Sequence, residues 1–369
     1  MAVFEQQVTK KPPIYQIGII NWLKENLFST PINSFLSLLA LYLLYLIIPP
    51  LADWIFFDAT FSAVPNDQCS KEGACWSYIR ENINLFTFGF YPPEEYWRPL
   101  TVLGLAIACV LFTRLMGTYE HKFKIIIAMV IIFPVVTFFL LYGGLGLEIV
   151  ETHQWGGLML TIIISVVGMI ASFPLGIMLA LGRRSEMKII KFFCVIYIEF
   201  FRGVPLITIL FMASVVLPLF FAEGMSFDKL LRALIGITLF QTAYFAEVIR
   251  GGLQAIPKGQ YEAADAIGLS YYQKTMLIVL PQALKISIPN IVGFQISFFK
   301  DTTLVLIIGL FDMLAIVGLS SNDENWLGNE TEGYVFVMIV FWVILYSWSR
   351  YSKALEKRFS TEQEEHQKA

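Results

Sequence analysis

Charged residues are scarce in this chain of 369 residues, where they make up 15% of the sequence against 57% hydrophobic residues. The mean hydropathy is +0.66. So few polar side chains could not cover the surface of a water-soluble globular protein. Because one helical crossing of a bilayer needs about 20 apolar residues, we expect a polytopic membrane protein.

The residues that several other functions require are also missing. Histidine occurs only three times, at widely separated positions, which indicates neither a metal site nor a nucleophilic catalytic arrangement. No Gly-x-x-x-x-Gly-Lys-Ser/Thr stretch is present, so the chain does not cradle ATP phosphates itself. We therefore predict no catalytic residue, no metal, no cofactor bound by this chain and no nucleic-acid partner.

What the sequence does contain is a series of eight apolar runs. They predict an all-α integral membrane protein with about eight transmembrane helices. The fifth and seventh runs are longer than the hydrocarbon core and require a tilt or a break. The eight runs cover residues 34–57, 99–117, 124–144, 156–182, 189–222, 229–250, 286–320 and 334–350.

The basic residues favour one side of these runs. Nineteen of the 26 lie in the two tails and in the second, fourth and sixth loops, and five lie in the intervening segments. Arg202 and Lys300 lie within apolar runs. The positive-inside rule then predicts that both termini are cytoplasmic, which agrees with an even number of crossings.

Two of the four cysteines, Cys69 and Cys75, lie in the predicted external loop 58–97. An oxidising outer compartment allows a disulfide between them, although a gap of five residues does not require one. Cys109 and Cys194 lie in apolar runs, where we expect small buried side chains.

The predicted internal loop between the sixth and seventh runs is the longest of its kind. Its segment 257–281 indicates a short helix, a glycine elbow at Gly268 and a second helix that starts at Tyr271 and ends at Pro281. The alternative is an amphipathic segment that merely lies on the membrane surface.

The spacing within this loop resembles the EAA loop of membrane subunits of ATP-binding-cassette importers. The matching residues are Glu262, Ala263, Ala264, Gly268, Ile278, Leu280 and Pro281. Three further segments, 197–206, 243–253 and 299–304, resemble the histidine/glutamine-type polar amino acid permeases. Residues 1–150 resemble the three-span extension of the general L-amino acid permease subunits.

The resemblance implies a type I importer permease core of five spans at 151–355, with its coupling loop at 257–281. It also implies an N-terminal extension of three spans at 1–150 and a cytoplasmic tail at 356–369. The implied partners are two ATPase subunits that bind ATP and Mg, a homologous permease subunit in a heterodimer, and a periplasmic amino acid binding protein. The implied location is the bacterial inner membrane, among its lipids. Coupling to the ATPase is implied for Glu262, Ala263, Ala264, Gly268, Leu280 and Pro281.

Ionisable residues inside the apolar runs form a second set of candidates. Each needs a charged partner or a watery cavity, because an isolated charge is unfavourable in hydrocarbon. Helix breaks are predicted after Arg202 and at Lys300-Asp301, and broken helices are where transporters place binding groups. The candidates for the substrate path are Glu199, Arg202, Glu247, Lys300 and Asp301, and Asp312 is a further intramembrane acid.

Two interpretations of these charges remain open from the sequence. In the first, Arg202 binds the carboxylate of an amino acid while Glu199 or Glu247 receives its ammonium group. In the second, the charges form internal pairs, such as Glu199 with Arg202, or Lys300 with Asp301 at a helix start. The spacing of Glu247 from Arg250 favours a structural or gating role for this pair.

Together these features predict the permease subunit of an ATP-driven importer for L-amino acids of broad or polar specificity. An ion-gradient-driven secondary transporter is the alternative. It would account for the intramembrane charges but gives no reason for the EAA spacing.

Overall fold

The computed structural model describes residues 18–116, 122–144, 146–221 and 227–368. Within these ranges the secondary structure is helical, and strand-type pairing is limited to isolated bridges. The α-helices are α1 (Ile19–Asn26), α2 (Pro31–Ala52), α3 (Trp76–Glu81), α4 (Ile83–Phe88), α5 (Trp97–Leu115), α6 (Lys122–Tyr142), α7 (Gly157–Arg183), α8 (Lys188–Gly203), α9 (Leu206–Phe211), α10 (Lys229–Gln254), α11 (Lys258–Ala266), α12 (Tyr271–Gln273), α13 (Leu280–Asp301), α14 (Met313–Ser320) and α15 (Glu330–Lys368).

Several of these helices are extended by π-helical segments, which have wider turns than an α-helix, or by 3₁₀ segments, which have tighter ones. Such segments occur where a helix is bent or interrupted. The π-helical segments are Asp53–Phe57, Met212–Val216 and Lys274–Val279, and 3₁₀ segments include Leu217–Phe220 and Thr302–Ile308.

The chain divides into two compact units, and the first comprises Met1–Ser77. Its long helix α2 starts after Thr30, whose hydroxyl accepts the backbone N–H of Asn33 at 3.1 Å. The following loop is closed by a disulfide between Cys69 and Cys75, whose Cα atoms are 5.6 Å apart. Thr60 forms an isolated bridge with Cys75 and holds the two ends of the loop together.

The second unit, Tyr78–Ala369, is organised around α10, which packs against α7, α8 and α13. Small residues allow this close packing. A β-carbon added to Gly252 would collide with the carbonyl oxygen of Ala283 and with the Ser287 hydroxyl on α13. Only glycine therefore fits at this crossing of α10 and α13.

The predicted all-α, multi-spanning fold is confirmed. Seven helices in the described ranges are long and apolar enough to cross a membrane, or eight if a bent pair is counted as one span. That pair consists of Lys188–Gly203 and Leu206–Phe220, which meet at 102°. The helix break predicted after Arg202 lies at this bend, where Gly203 ends α8 and Pro205 precedes α9.

The seventh span differs from its predicted boundaries. The helical segment starts at Tyr271 and runs to Ile308, whereas the apolar run predicted 286–320 and a helix that ended at Pro281. Pro281 does not stop the helix because it lies in the first turn of α13, directly after the π-helical segment Lys274–Val279. The break predicted at Lys300-Asp301 is not found there. The α-helix passes directly into the 3₁₀ segment Thr302–Ile308 after Asp301, and the helical segment ends only before Gly309, whose φ is +71°.

Candidate functional site

The EAA-like segment forms a compact helix–turn–helix. α11 follows Pro257 and ends where Gly268 adopts a φ of +76°, a conformation that favours glycine. The backbone N–H groups of Gly268 and Leu269 donate to Asp265 and Ala264, at 3.0 and 3.1 Å. These two bonds satisfy carbonyl groups at the end of α11 and fix the direction in which the chain leaves it.

Side-chain bonds make this turn rigid. Ser270 and Gln273 form a reciprocal capping box at the start of α12. The ammonium of Lys274 contacts the carboxylate of Asp265 at 2.6 Å, and thus joins the second helix to the first. Gln282 donates to Gln260 at 3.0 Å, which ties the start of α13 to α11.

The coupling loop, residues 257–281, is also anchored to the turn between α7 and α8. The guanidinium of Arg184 donates to the carbonyl of Leu253 at 2.8 Å and to the hydroxyl of Tyr261 at 3.1 Å. Arg184 at the end of α7 is therefore bonded to both α10 and α11.

The predicted coupling residues divide into an outer and an inner group. Glu262, Ala263, Gly268 and Pro281 are exposed. Ala264 and Leu280 are buried, with exposed fractions of 1% and 8%. The small side chain of Ala264 therefore serves packing inside the chain, and the surface available to a partner lies around Glu262 and Gly268.

Sequence analysis missed a group of apolar side chains beside this loop. Four large hydrophobic residues are at least two-thirds exposed there: Ile267, Tyr271, Tyr272 and Leu277. Such a contiguous exposed group next to a polar rim is typical of an interaction surface. In the sequence, the indication of this surface is that the four apolar residues lie on both sides of the predicted turn at Gly268.

The second candidate site is an ion cluster around Glu247. Its carboxylate contacts Arg183 at 2.7 Å, Arg250 at 2.9 Å and Arg202 at 3.5 Å. Glu199 contacts Arg183 at 3.0 Å. Three arginines therefore face two glutamates, and the cluster carries a formal excess of one positive charge.

The members of this ion cluster differ in accessibility. The Glu247 side chain is 15% exposed, whereas Arg202 is 36% and Glu199 is 56% exposed. The guanidinium of Arg202 lies 5.8 Å from the ring centroid of Tyr244, an arrangement typical of a cation–π contact. Within the ion cluster, Arg202 and Glu199 are thus the accessible predicted path residues, whereas Glu247 is occupied as a common acceptor. Lys300, outside the cluster, is also exposed.

Residues 172–361, more than half of the chain, match the family described as “Binding-protein-dependent transport system inner membrane component”. The chain belongs to this family. As a member, it is a multi-pass protein of the inner membrane and a membrane subunit of a transporter.

Two of the relatives described here match almost the whole chain, and a third is shorter. This chain is 50% identical to the inner membrane amino-acid ABC transporter permease protein YhdY of Escherichia coli, over 92% of this chain and 93% of that protein. It is 39% identical to the glutamate/glutamine/aspartate/asparagine transport system permease protein BztC of Rhodobacter capsulatus, over 96% of both. The probable amino-acid ABC transporter permease protein YckA of Bacillus subtilis is 31% identical over 55% of this chain and 88% of its own.

The remaining path candidates lie outside the ion cluster. No ion pair within 4 Å involves Lys300 or Asp301 in the part of the chain that the structure describes. Asp301 ends α13 and directly precedes the 3₁₀ segment Thr302–Ile308, but its carboxylate makes no capping hydrogen bond there, so the predicted cap at a helix start is wrong.

Asp312 has a structural position. Its carboxylate accepts the backbone N–H groups of Leu314 and Ala315 and so caps α14. Asp312 thus stabilises a helix end and does not belong to the ion cluster.

Arg183 is the member of the ion cluster that sequence analysis assigned elsewhere. It was counted among the basic residues of the fourth loop, yet its guanidinium joins Glu199 to Glu247. In the sequence, the only indication of this role is that Arg183 directly follows a predicted span, within reach of the membrane. Among the described residues, no group of three or more histidine, cysteine or acidic side chains could hold a metal ion.

Proposed function

We propose that this permease subunit imports L-amino acids and that ATPase partners drive it through the coupling loop. The observation that carries the proposal is the rigid, exposed helix–turn–helix of residues 257–281, flanked by exposed apolar side chains and tied to α7, α10 and α13. Relatives that match almost the whole chain are named as amino acid permeases, which supports the substrate class.

The assembly we propose has two ATPase subunits, a homologous permease subunit in a heterodimer, and a periplasmic binding protein that delivers the amino acid. ATP and Mg are bound by the ATPase partners, and both termini of this chain face the cytoplasm. Residues 1–150 form an extension to a transport core at 151–355. The shorter relative supports this division, because it aligns with 55% of this chain while covering 88% of its own length.

The mechanism we propose is alternating access. ATP-driven closure of the ATPases displaces α11, and the bonds of Arg184 and Gln282 pass that displacement to the transmembrane helices. Neither the comparisons nor the described residues contain a feature that favours an ion-gradient-driven transporter.

The coupling surface is tested by Ile267→Asp. The side chain of Ile267 is 72% exposed, so the change places a charge on the docking surface while the fold is retained. We expect co-purification with the ATPase subunits to fall about thirtyfold, the size of an interface hot spot of about 2 kcal/mol.

Met187→Asp is the matched control, because Met187 is also exposed on the predicted cytoplasmic side but lies outside the coupling loop. Normal ATPase binding by the Ile267 variant, in a complex that purifies like wild type, would contradict the docking role. Loss of binding in both variants would show a general effect of charge on this face.

The substrate path is tested by Arg202→Gln. Since a charge-assisted bond to a carboxylate contributes about 1.5–3 kcal/mol, we expect the KM for amino acid uptake to rise at least tenfold. Lys191→Gln, which removes another exposed cation from α8, should leave the KM unchanged. Wild-type uptake and wild-type substrate-stimulated ATPase activity in the Arg202 variant would leave only the internal ion-pair role.

A further inference from the structure

A cavity of about 760 Å³ lies between α6 of the extension and the transport core. Its walls are mostly apolar, with Phe138 and Tyr142 on α6, Val167 on α7, Leu234 on α10 and Leu310 before α14. The hydroxyl of Thr137 on α6 also lines it and is buried with no hydrogen-bond partner in the described structure. The volume lies within the range of about 300–1,000 Å³ that is typical of small-molecule sites. α6 packs chiefly against α5 and joins the buried core at Leu141, near its C-terminal end, so the cavity lies beside this contact.

The rim of the cavity is charged. The carboxylate of Asp228 caps α10 and also accepts a hydrogen bond from the Thr152 hydroxyl. The Nδ1 atom of His153 lies 3.1 Å from the carboxylate of Glu151. Lys229 differs from these residues, because no ion pair or hydrogen bond of its ammonium is found in the described ranges. A β-carbon placed on Gly309 would lie 3.4 Å from the Lys229 Nζ, which puts the ammonium at the mouth of the cavity.

The charged rim and the apolar walls of the cavity correspond to the headgroup layer and the acyl-chain layer of a bilayer leaflet. Three candidate spans end or begin beside the rim: Lys124–Tyr142 ends there, and Gly157–Arg183 and Lys229–Gln254 begin there. The charged rim therefore lies at the level of the lipid headgroups and the apolar walls at the level of the acyl chains.

We propose that this cavity binds a zwitterionic aminophospholipid such as phosphatidylethanolamine. One acyl chain occupies the apolar space between α6 and α7, the phosphate pairs with Lys229, and the headgroup ammonium is received by Glu151. The bound lipid fills the gap between the extension and the core, and joins α6 to α7 and α10.

Charge complementarity selects this class of lipid over the others present in a membrane. A purely anionic headgroup would meet Glu151 and Asp228 beside the single unpaired Lys229. A free amino acid would place two charges against the apolar walls, which is unfavourable without partners there. Only a headgroup with both charges, attached to an apolar chain, matches the rim and the walls together.

Photo-crosslinking in the purified transporter complex, reconstituted in lipid nanodiscs, tests this site. The probe is phosphatidylethanolamine with a diazirine in one acyl chain, and crosslinks on the α6 and α7 peptides are quantified by mass spectrometry. We expect Lys229→Gln to lower this labelling about fivefold, the effect of one basic residue on a phosphate. Val167→Phe, which fills the acyl space, should lower it as well.

Lys71→Gln is the matched control, since it removes another exposed lysine of a predicted external segment that does not line the cavity. It should leave the labelling unchanged. Headgroup recognition is also measured on the wild-type complex alone, by comparing diazirine probes with identical chains. If Lys229→Gln does not fold, this comparison and the Val167 variant still decide the question.

Several outcomes would overturn the proposal. Equal labelling by a diacylglycerol probe would show that the headgroup is not recognised, and stronger labelling by a phosphatidylglycerol probe would show the wrong headgroup. Displacement of the probe by free amino acids would identify a solute site. Unchanged labelling in both the Lys229 and the Val167 variants would indicate contact with bulk lipid only.

Discussion

The helices α6 and α10 are both candidate membrane spans, yet their surroundings are opposite. α6 contains the most apolar stretch of the seven spans and 6% of that stretch is buried inside the chain, whereas α10 is the least apolar and 56% of its stretch is buried. In a membrane, a helix that faces lipid must be apolar, while a helix inside the protein can place polar groups against partners. For these two helices, the lower hydropathy belongs to the span in the interior of the protein.

The polar residues of α10 illustrate this difference. The Glu247 carboxylate accepts hydrogen bonds from one arginine on α7 and one on its own helix. The side-chain oxygen of Gln241 accepts a hydrogen bond of 3.0 Å from the Ser172 hydroxyl on α7. On α6 the side chain of Ile131 is 63% exposed, with lipid as the expected neighbour. Changes on the two helices should therefore have opposite consequences.

The largest effect is expected for Ile131→Asp on α6. An acidic residue near the centre of a lipid-facing span raises the free energy of membrane insertion by about 3 kcal/mol. The amount of chain recovered in the membrane fraction should fall strongly, and Ile131→Leu should be recovered like wild type. Normal recovery of the Asp variant would mean that α6 does not face lipid.

The next effect concerns packing, and is expected for Gly252→Val on α10. The new side chain would collide with Ala283 and Ser287, and overpacking of this kind typically costs about 1–3 kcal/mol. The temperature at which the purified complex aggregates should fall. Gly104→Val on α5 is the control, because nothing lies within 4 Å of a β-carbon at Gly104. Equal stability of the two variants would contradict the close crossing of α10 and α13.

The smallest effect is expected for Gln241→Leu, which removes a polar group from the middle of α10. The Gln241 amide nitrogen is buried with no hydrogen-bond partner in the described structure, and the Ser172 hydroxyl retains its bond to Gly168. We expect the thermal stability to remain unchanged, or to rise by about 1 kcal/mol or less. A clear loss of stability would show that the Gln241 amide is paired in the membrane.

Gln295→Leu sharpens this last comparison. The side-chain oxygen of Gln295 is also buried without a partner in the described structure, but its amide nitrogen donates to both the hydroxyl and the carbonyl oxygen of Ser165. The loss of these two bonds should destabilise the complex by about 1 kcal/mol. Two glutamines of similar burial would thus respond differently to the same change.

Much of the fold follows from local sequence features. The apolar runs identify the spans because their length matches the hydrocarbon core, and Gly203 with Pro205 marks the bend between α8 and α9. The boundary of the seventh span is a different case. Sequence reasoning placed a stop at Pro281, but the preceding π-helical turn lets the helix continue, and a π-bulge has no clear local signature.

The candidate sites show the same division. Gly268 and the EAA spacing are read directly from the chain, since they specify a local turn. The pairing of Glu247 with Arg250 is also read from the chain, because the two residues are three apart on one helix. Its pairing with Arg183 is not, because Arg183 is 64 residues away and reaches Glu247 only when α7 packs on α10. Ala264, which has the same residue type as Ala263, is buried only because the rest of the chain covers it.

The sequence by itself determined that this chain spans a membrane, which loop holds the EAA-like turn, and which charges lie within apolar runs. Each of these follows from composition and spacing over a few tens of residues. Only the tertiary structure decided that Glu247 is occupied while Arg202 is accessible, and that a cavity with a charged rim is lined by residues of α6, α7 and α10. The reason is that ion pairs and cavities depend on how distant helices pack, whereas hydropathy and turn geometry are properties of neighbouring residues.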